Sequence, residues 1–269
     1  MEYSCCIEML FCELPFLDRI EAAREAGFTF VEFWTWEDKD IPAIADKLNH
    51  TGMKVSIFQG NTQGRMVDPA DGERYIQGVV KSLPAAKALE CKTLFLMSDL
   101  LREDRSVLPS EHPLSDKQKR TATLDVLHQL AEIGEAEGIT FVIEPLNTTV
   151  DHMGYSLCHS RDAFEIVRLL GSPFVRVLYD AYHMQIMEGN IIESIRAGVD
   201  TFGHFHIADV PGRMEPGTGE LNYKNILQAL RDAGYSKAVG FEFSPSSGNS
   251  RTTLQCTFQR VEQGSEFNG

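Results

Sequence analysis

The stretch SPFVRVLYDAYHMQ, residues 172–185, shows the pattern from which the fold can be predicted. Its first half is an apolar run rich in valine and aromatic residues, and it follows a Ser-Pro turn, which is typical of a buried strand. The run stops at Asp180, and His183 follows three residues later. A buried strand that ends in a carboxylate predicts a functional group at that strand end.

Seven runs of this kind, this one included, recur along the chain, most of them after a Gly, Pro or Asp that favours a turn. They are EAGFTFVEF (25–33), HTGMKVSIF (50–58), LECKTLFLM (89–97), AEGITFVIE (136–144), SPFVRVLYD (172–180), DTFGHFHIA (200–208) and AGYSKAVGFEF (233–243). SCCIEM, residues 4–9, adds an eighth run near the N-terminus. Nearly continuous apolar runs predict parallel strands that are covered by helices.

Segments with helical periodicity lie before most of these runs. They are Phe16–Ala26, Ile41–Leu48, Arg74–Leu89, Lys117–Glu137, Arg161–Leu170 and Tyr223–Ala233. Eight such units in about 250 residues predict an α/β fold, a single (β/α)8 TIM barrel, and we expect one domain over residues 1–269. The alternative is an open doubly wound sheet, but no GxGxxG follows the first strand. In a barrel, the longer loops after the strands would form the active-site face.

The composition is that of an ordinary soluble protein, with 43% hydrophobic and 24% charged residues. No apolar run reaches the roughly 18 residues of a membrane span, and no secretory signal precedes the first strand, so we expect a cytoplasmic protein without a membrane partner. The six cysteines show no CxxC spacing, which favours reduced thiols. A formal net charge of −14 argues against nucleic acid as a partner. The sequence is compatible with a homo-oligomer.

Four neighbouring strands of the predicted barrel end in polar side chains. Glu144 ends the fifth strand, Asp180 the sixth and Glu242 the eighth, and His206 lies near the end of the seventh. Because the carboxyl ends of barrel strands meet at one face, we expect the three carboxylates and the imidazole to converge.

Three close carboxylates raise one another's pKa values in a dry pocket, and a divalent cation supplies the positive charge that keeps them ionised. Three oxygens and one nitrogen suit Mn²⁺, Mg²⁺ or Co²⁺ better than a structural zinc, and we expect one ion, with Mn²⁺ preferred. Each residue alone has a simpler interpretation, since a strand-end carboxylate often caps the next helix or forms an internal salt bridge. His204, on the same face as His206, could likewise be a satisfied core residue. The coincidence of four favours the metal site.

Several long motifs resemble a known family. They are VIEPLN, YDAYHMQ with its following MEGN, HIADVPGR with EPGTGELNY, and GFEF. These motifs look like the xylose-isomerase-like TIM-barrel superfamily, in particular the hydroxypyruvate isomerase family and its relatives, the ketose 3-epimerases. The resemblance covers nearly the whole chain and is densest from Glu144 to Glu242.

The resemblance implies a role for each matching residue. The implied metal ligands are Glu144, Asp180, His206 and Glu242. It also implies that Glu144 and Glu242 form the catalytic acid/base pair, and that His183 and Arg213 hold the carbonyl and hydroxyl oxygens of the substrate. Some hydroxypyruvate isomerases have Gln at the position of His206, whereas His is the residue expected in the epimerases.

The chemistry of such a site follows from its groups. A metal that chelates adjacent carbonyl and hydroxyl oxygens acidifies the intervening C–H, and a carboxylate removes the proton. Proton return to the neighbouring carbon isomerises the substrate, and return to the same carbon epimerises it. We therefore expect an isomerase or epimerase of a small carbohydrate or keto acid. The alternatives are a lyase on 3-keto-glycosides with the same site, a non-catalytic sugar-binding barrel and, more remotely, an abasic-site endonuclease.

Aromatic residues at the ends of the first three strands are candidates for the pocket wall. Phe11, Trp34, Trp36 and Phe58 lie at or just beyond these ends. We expect Trp34 and Phe58 to contact substrate by stacking on the C–H face of a sugar. The alternative is that these rings only pack against the following helices.

Overall fold

The eight apolar runs form eight parallel strands, each paired with the next, and the last pairs with the first to close a barrel. The computed structural model describes residues 1–263, so the prediction of one domain over residues 1–269 extends beyond the described residues. The strands are β1 (Tyr3–Cys6), β2 (Phe30–Phe33), β3 (Lys54–Gln59), β4 (Thr93–Leu96), β5 (Thr140–Ile143), β6 (Val175–Asp180), β7 (Phe202–Ile207) and β8 (Val239–Phe241). The predicted (β/α)8 barrel is thereby confirmed.

Helices follow the strands and cover the outside of the barrel. They are α1 (Phe16–Glu25), α2 (Ile41–Thr51), α3 (Gly72–Ala88), α4 (Asp116–Glu137), α5 (Ser160–Leu170), α6 (Ala181–Met187), α7 (Ile191–Gly198), α8 (Tyr223–Asp232) and α9 (Ser250–Gln263). Local sequence sets several of their ends. Ser115 and Gln118 form a reciprocal capping box at the start of α4, and Gly138 ends the helix in a left-handed conformation.

Strand residues alternate between the core under the helices and the barrel interior. On β5, Phe141 and Ile143 belong to the outer core, whereas Val142 packs in an interior cluster with Phe95 and Leu178. The next inward position on β5 is that of Glu144. The same alternation makes the strand-end polar residues of β6, β7 and β8 point into the mouth of the barrel.

A β-bulge interrupts this alternation on β3. Val31 pairs with Val55 and Phe33 pairs with Phe58, so β3 has one more residue than β2 between these pairs. The extra residue reverses the face of everything after it. Phe58 therefore turns to the outer core, where it is fully buried and stacks on Phe33 with ring centroids 5.3 Å apart.

Among residues 1–263, no helix combines the length and the apolar composition needed to cross a membrane.

Candidate metal and catalytic site

The four predicted ligands meet at the carboxyl ends of β5 to β8. Glu144 and Glu242 directly follow β5 and β8, Asp180 is the last residue of β6, and His206 lies one residue before the end of β7. One ligand atom from each lies within 4.8 Å of those of the other three. All four side chains are buried. The backbone alternation of four adjacent strands is enough to bring them together.

Three of these residues direct a buried polar atom at the others without a hydrogen-bond partner among the described residues. The atoms are Glu144 Oε1, Asp180 Oδ2 and His206 Nδ1. An orphaned buried polar atom is costly in a folded protein. Two carboxylate oxygens and an imidazole nitrogen are donors that divalent Mn, Mg or Co accepts. The residues therefore fit a divalent cation, and Asp180 does so while its other oxygen accepts from Tyr182 N at 2.8 Å and caps α6.

The buried charges shift one another's pKa values in opposite directions. Burial raises the pKa of Glu144 to about 7, and Glu242 adds to this rise. Burial also raises the pKa of Asp180. For Glu242 the positive charges of Arg213 and His206 outweigh burial and lower the pKa. For His206 the carboxylates of Glu242 and Glu32 outweigh burial and hold the imidazole pKa well above its usual value. The two glutamates thus differ in proton affinity although they share one site.

Glu242 is the most strongly held of the four residues. Trp34 Nε1 donates to Glu242 Oε1 at 2.9 Å, and the Arg213 guanidinium donates to Oε2. Arg213 also lies 3.5 Å from Asp180 Oδ2 and stacks over the ring of Tyr182. These contacts keep Glu242 ionised and fixed in orientation.

The loop after β7 carries Arg213 in a left-handed conformation with φ 54°. Buried Asp209 holds this loop by accepting from the backbone N–H groups of Val210, Gly217 and Leu221. Gly219 has no room for a side chain, because a Cβ there would lie 2.0 Å from Val210 O. The segment GTGE, residues 217–220, is therefore a structural turn that Asp209 and Val210 hold within the loop that carries Arg213.

Glu32 on β2 also belongs to the site, although the strand-end pattern did not predict it. Its Oε2 bonds to His204 Nε2 at 3.1 Å and accepts from Ser56 Oγ at 3.0 Å. Its Oε1 lies 3.1 Å from His206 Nε2, close enough for an ion pair but without hydrogen-bond geometry. Burial would raise the pKa of Glu32, but the two imidazoles outweigh it and hold that pKa well below its usual range. A signal was present, since Glu32 interrupts an apolar strand much as Asp180 ends one.

The contacts of Glu32 inside the barrel explain the role of His204 and the need for glycine at position 240. His204 is satisfied by Glu32, so its simpler interpretation as a paired core residue fits the structure. Gly240 on β8 leaves room for the pair, because a Cβ there would lie 2.4 Å from Glu32 Oε1 and 2.6 Å from His206 Cδ2. The glutamate thus approaches His206 from the side opposite to Nδ1, which faces Glu144 and Glu242. A carboxylate on the far nitrogen is the usual support of a metal-binding histidine.

His183, on α6, lines the same cavity as the acidic residues. Its Nδ1 accepts from the backbone N–H of Asn147 at 3.2 Å, which places the proton of the neutral ring on Nε2. Nε2 lies 3.6 Å from Asp180 Oδ2. Burial and the charge of Arg213 lower the pKa of His183 well below its usual value. His183 is therefore a neutral donor that faces the site.

A cavity of about 400 Å³ adjoins the site. Glu144, His206, Glu242 and Arg213 line it together with Trp34. Phe58 does not line it, which corrects the expectation that this ring contacts substrate; the β-bulge on β3 is the physical reason. Phe11 is also fully buried in the outer core, and Trp36 packs against that core. Only Trp34 of the four aromatic residues reaches the cavity.

The chain matches a family model described as xylose isomerase-like TIM barrel over residues 20–260. Among curated relatives, hydroxypyruvate isomerase from Escherichia coli is 31% identical over 256 residues, covering 92% of this chain and 95% of the relative. A 2-oxo-tetronate isomerase from Pectobacterium atrosepticum is 32% identical and covers 91% and 92% respectively. The two alignments therefore cover nearly the whole length of each relative.

Solved structures give the same fold. A Brucella melitensis protein described as AP endonuclease, family 2, superposes with a TM-score of 0.85 at 32% identity, over 94% of this chain and 97% of its own. A D-psicose 3-epimerase from Clostridium cellulolyticum superposes with a TM-score of 0.80 at 18% identity, over 97% of this chain and all of its own. At that identity the second likeness concerns the fold alone.

Proposed function

The chain belongs to the xylose isomerase-like TIM barrel family and is an enzyme of the sugar isomerase and epimerase type. We propose that it moves a proton at the carbon next to the carbonyl of a small keto compound, and that it uses one divalent cation, Mn²⁺ by preference. The observation that carries this proposal is the convergence of Glu144, Asp180, His206 and Glu242. Three of them present orphaned buried atoms to a common point.

A bound cation would be held by these four side chains and would supply Lewis acidity to the carbonyl and hydroxyl oxygens of the substrate. The protein contributes the proton transfers. Glu242 is ionised and held by Arg213 and Trp34, which suits it to accept a proton from carbon. Glu144, whose pKa is raised to about 7, suits the complementary role of proton donor.

His183 and Arg213 orient the substrate in this proposal. The Nε2–H of His183 is a neutral donor aimed into the cavity and suits a carbonyl oxygen. Arg213 contacts Glu242 and Asp180, so it positions the base in addition to any contact with substrate oxygen. Trp34 lines the cavity with its ring and keeps water from the apolar face of the substrate.

We do not propose endonuclease activity, although the Brucella structure carries that description. A DNA-binding enzyme neutralises phosphates with lysine and arginine along an extended face. This chain has 25 Lys and Arg against 39 Asp and Glu, which gives its formal charge of −14. The strongly acidic balance favours a small-molecule substrate.

The proposal is tested by removing and restoring the metal. Purified protein is treated with chelator, checked by elemental analysis and screened with hydroxypyruvate, small ketoses and 3-keto-sugars, with and without Mn²⁺, Mg²⁺ or Co²⁺. We expect turnover only with metal, and we expect His206→Ala to lose both Mn²⁺ binding and turnover. His159→Ala is the matched control, because His159 pairs with Glu188 outside the cavity. Full turnover by chelated, metal-free protein would contradict the proposal.

A further inference from the structure

A short hairpin after β4 brings two arginines to the wall of the active-site cavity. Leu101 and Val107 form an antiparallel bridge, and Arg102 N donates to Ser106 O at 2.8 Å across it. Arg102 and Arg105 both line the cavity that contains Glu144 and Glu242. The hairpin therefore places cationic side chains on the same cavity as the proposed acid/base pair.

The guanidinium groups of these two arginines have no ion pair or hydrogen bond within residues 1–263, and both residues are exposed. The third arginine of the cavity differs, because Arg213 is neutralised by Glu242 and Asp180. Asp104 lies on the same hairpin, and its pKa is lowered by Ser106 and also by the charge of Arg102, but it forms no ion pair with either guanidinium. Both cations at the cavity wall are therefore available for an anionic ligand.

The hairpin is held in place by contacts with two other segments of the chain, one at Arg65 and one at His152 and Met153. Arg65 donates to Leu108 O at 3.1 Å and to Pro109 O at 3.0 Å. Val107 N donates to Met153 O at 3.0 Å, and the His152 ring lies against Arg105 O. Arg105 itself adopts a left-handed conformation with φ 66°, which is uncommon outside glycine. These contacts fix the backbone from which both side chains reach the cavity.

We propose that Arg102 and Arg105 form a subsite for the carboxylate of the substrate, so that the enzyme acts on hydroxy-keto acids in preference to neutral ketoses. This inference rests on the proposed function of the same cavity. The planar guanidinium presents paired N–H donors that match a carboxylate, which a neutral hydroxymethyl group does not reproduce. The carboxylate would lie at the hairpin while the reacting carbons lie beside Glu144 and Glu242.

The experiment compares acids with neutral ketoses of the same carbon skeleton. Hydroxypyruvate is paired with dihydroxyacetone, and 2-oxo-tetronate with erythrulose, because each pair differs by a carboxylate in place of a hydroxymethyl group. For the Mn²⁺-loaded enzyme we expect a higher kcat/KM for the acid of at least one pair. The double variant Arg102→Gln/Arg105→Gln should lower that value by about 10- to 100-fold, mainly through KM, and leave neutral ketoses and Mn²⁺ content unchanged.

Arg74→Gln is the matched control, since Arg74 is exposed, makes no ion pair within the described chain and does not line the cavity. Calorimetric titration with glycerate, against glycerol as its neutral counterpart, gives a readout that does not depend on turnover. We expect glycerate to bind the wild type and the control but not the double variant. The single arginine variants repeat the test if the double variant is unstable.

Three results would overturn the subsite. The first is an unchanged kcat/KM for acids in the double variant, and the second is an equal loss of kcat/KM for acids and ketoses. The third is a wild type that converts neutral ketoses only; in that case the proposed function still stands. If the wild type converts none of the substrates with Mn²⁺, the proposed function fails, and glycerate binding then decides the subsite alone.

Discussion

Replacing Glu32 by glutamine should weaken metal binding although Glu32 is not a ligand. The carboxylate bonds to His204 and Ser56 through Oε2 and lies 3.1 Å from His206 Nε2 through Oε1. It therefore favours a proton on Nε2 of His206 and leaves the Nδ1 lone pair for a cation. Glutamine keeps the shape but has an NH₂ group in place of one oxygen, so either His204 loses its hydrogen-bond acceptor or His206 Nε2 faces an NH₂ group where the negative oxygen was.

The magnitude follows from the position of Glu32. If the glutamine NH₂ faces His206, the favoured tautomer carries its proton on Nδ1, where the cation must bind. Loss of such a supporting contact typically costs about 10- to 100-fold in metal affinity, or about 1.4–2.7 kcal/mol. We expect the Mn²⁺ Kd of Glu32→Gln to rise by this factor, with fold and stoichiometry preserved.

Titration calorimetry and electron paramagnetic resonance of free Mn²⁺ measure this Kd directly, and circular dichroism confirms the fold. Glu188→Gln is the control, because Glu188 also pairs with a histidine, His159, but outside the cavity. Ser56→Ala removes a donor to Glu32 and also the hydrogen-bond partner of Ser4 Oγ, but it keeps the Glu32 carboxylate. It should therefore weaken binding less, and it serves if Glu32→Gln does not fold. A folded Glu32→Gln with wild-type Mn²⁺ affinity would refute the positioning role.

Three other perturbations test the site from different sides. Gly240→Ala places a Cβ 2.4 Å from Glu32 Oε1 and 2.6 Å from His206 Cδ2. We therefore expect the free energy of unfolding, measured by urea denaturation, to fall by about 1–3 kcal/mol and Mn²⁺ binding to weaken. Wild-type values of both would contradict the close fit. Arg213→Ala removes a buried charged donor to Glu242 and should lower kcat/KM by about 10- to 150-fold with Mn²⁺ content intact, whereas unchanged kinetics would make Arg213 a loop residue only. Burial raises the pKa of Glu144 to about 7, so this group takes up a proton as the pH falls through 7. Because a cation must displace that proton, Mn²⁺ affinity should fall about fivefold from pH 7 to pH 6 and about tenfold over the next unit; an affinity that is constant from pH 7 down to pH 6 would contradict this.

The fold and the four clustered residues could be predicted because they depend on patterns that are local in sequence. Buried parallel strands appear in the sequence as apolar runs. Polar residues that end these runs on the inward face come together at the mouth of the barrel once it closes. Glu144, Asp180, His206 and Glu242 needed no more than this. Their roles in metal binding and catalysis stay predictions, which the experiments above test.

Phe58 and Glu32 show where the sequence was insufficient. The side-chain direction of Phe58 depends on a bulge between β2 and β3, and one extra residue in a strand leaves no mark in an apolar run. Glu32 belongs to the site through contacts with residues more than 170 positions away, His204 and His206. Its partners become visible only when β2 and β7 face each other across the barrel interior.

In the proposed mechanism, Glu144 and Glu242 move a proton between their solvent-exchangeable carboxyl groups and the carbon next to a carbonyl. Turnover of the Mn²⁺-loaded enzyme in heavy water, followed by mass spectrometry and NMR of product and recovered substrate, measures this proton transfer. We predict deuterium at the reacting carbon, accumulating with successive reversible turnovers. Complete absence of solvent deuterium from both compounds after many turnovers would indicate hydride transfer and contradict the proton-transfer mechanism.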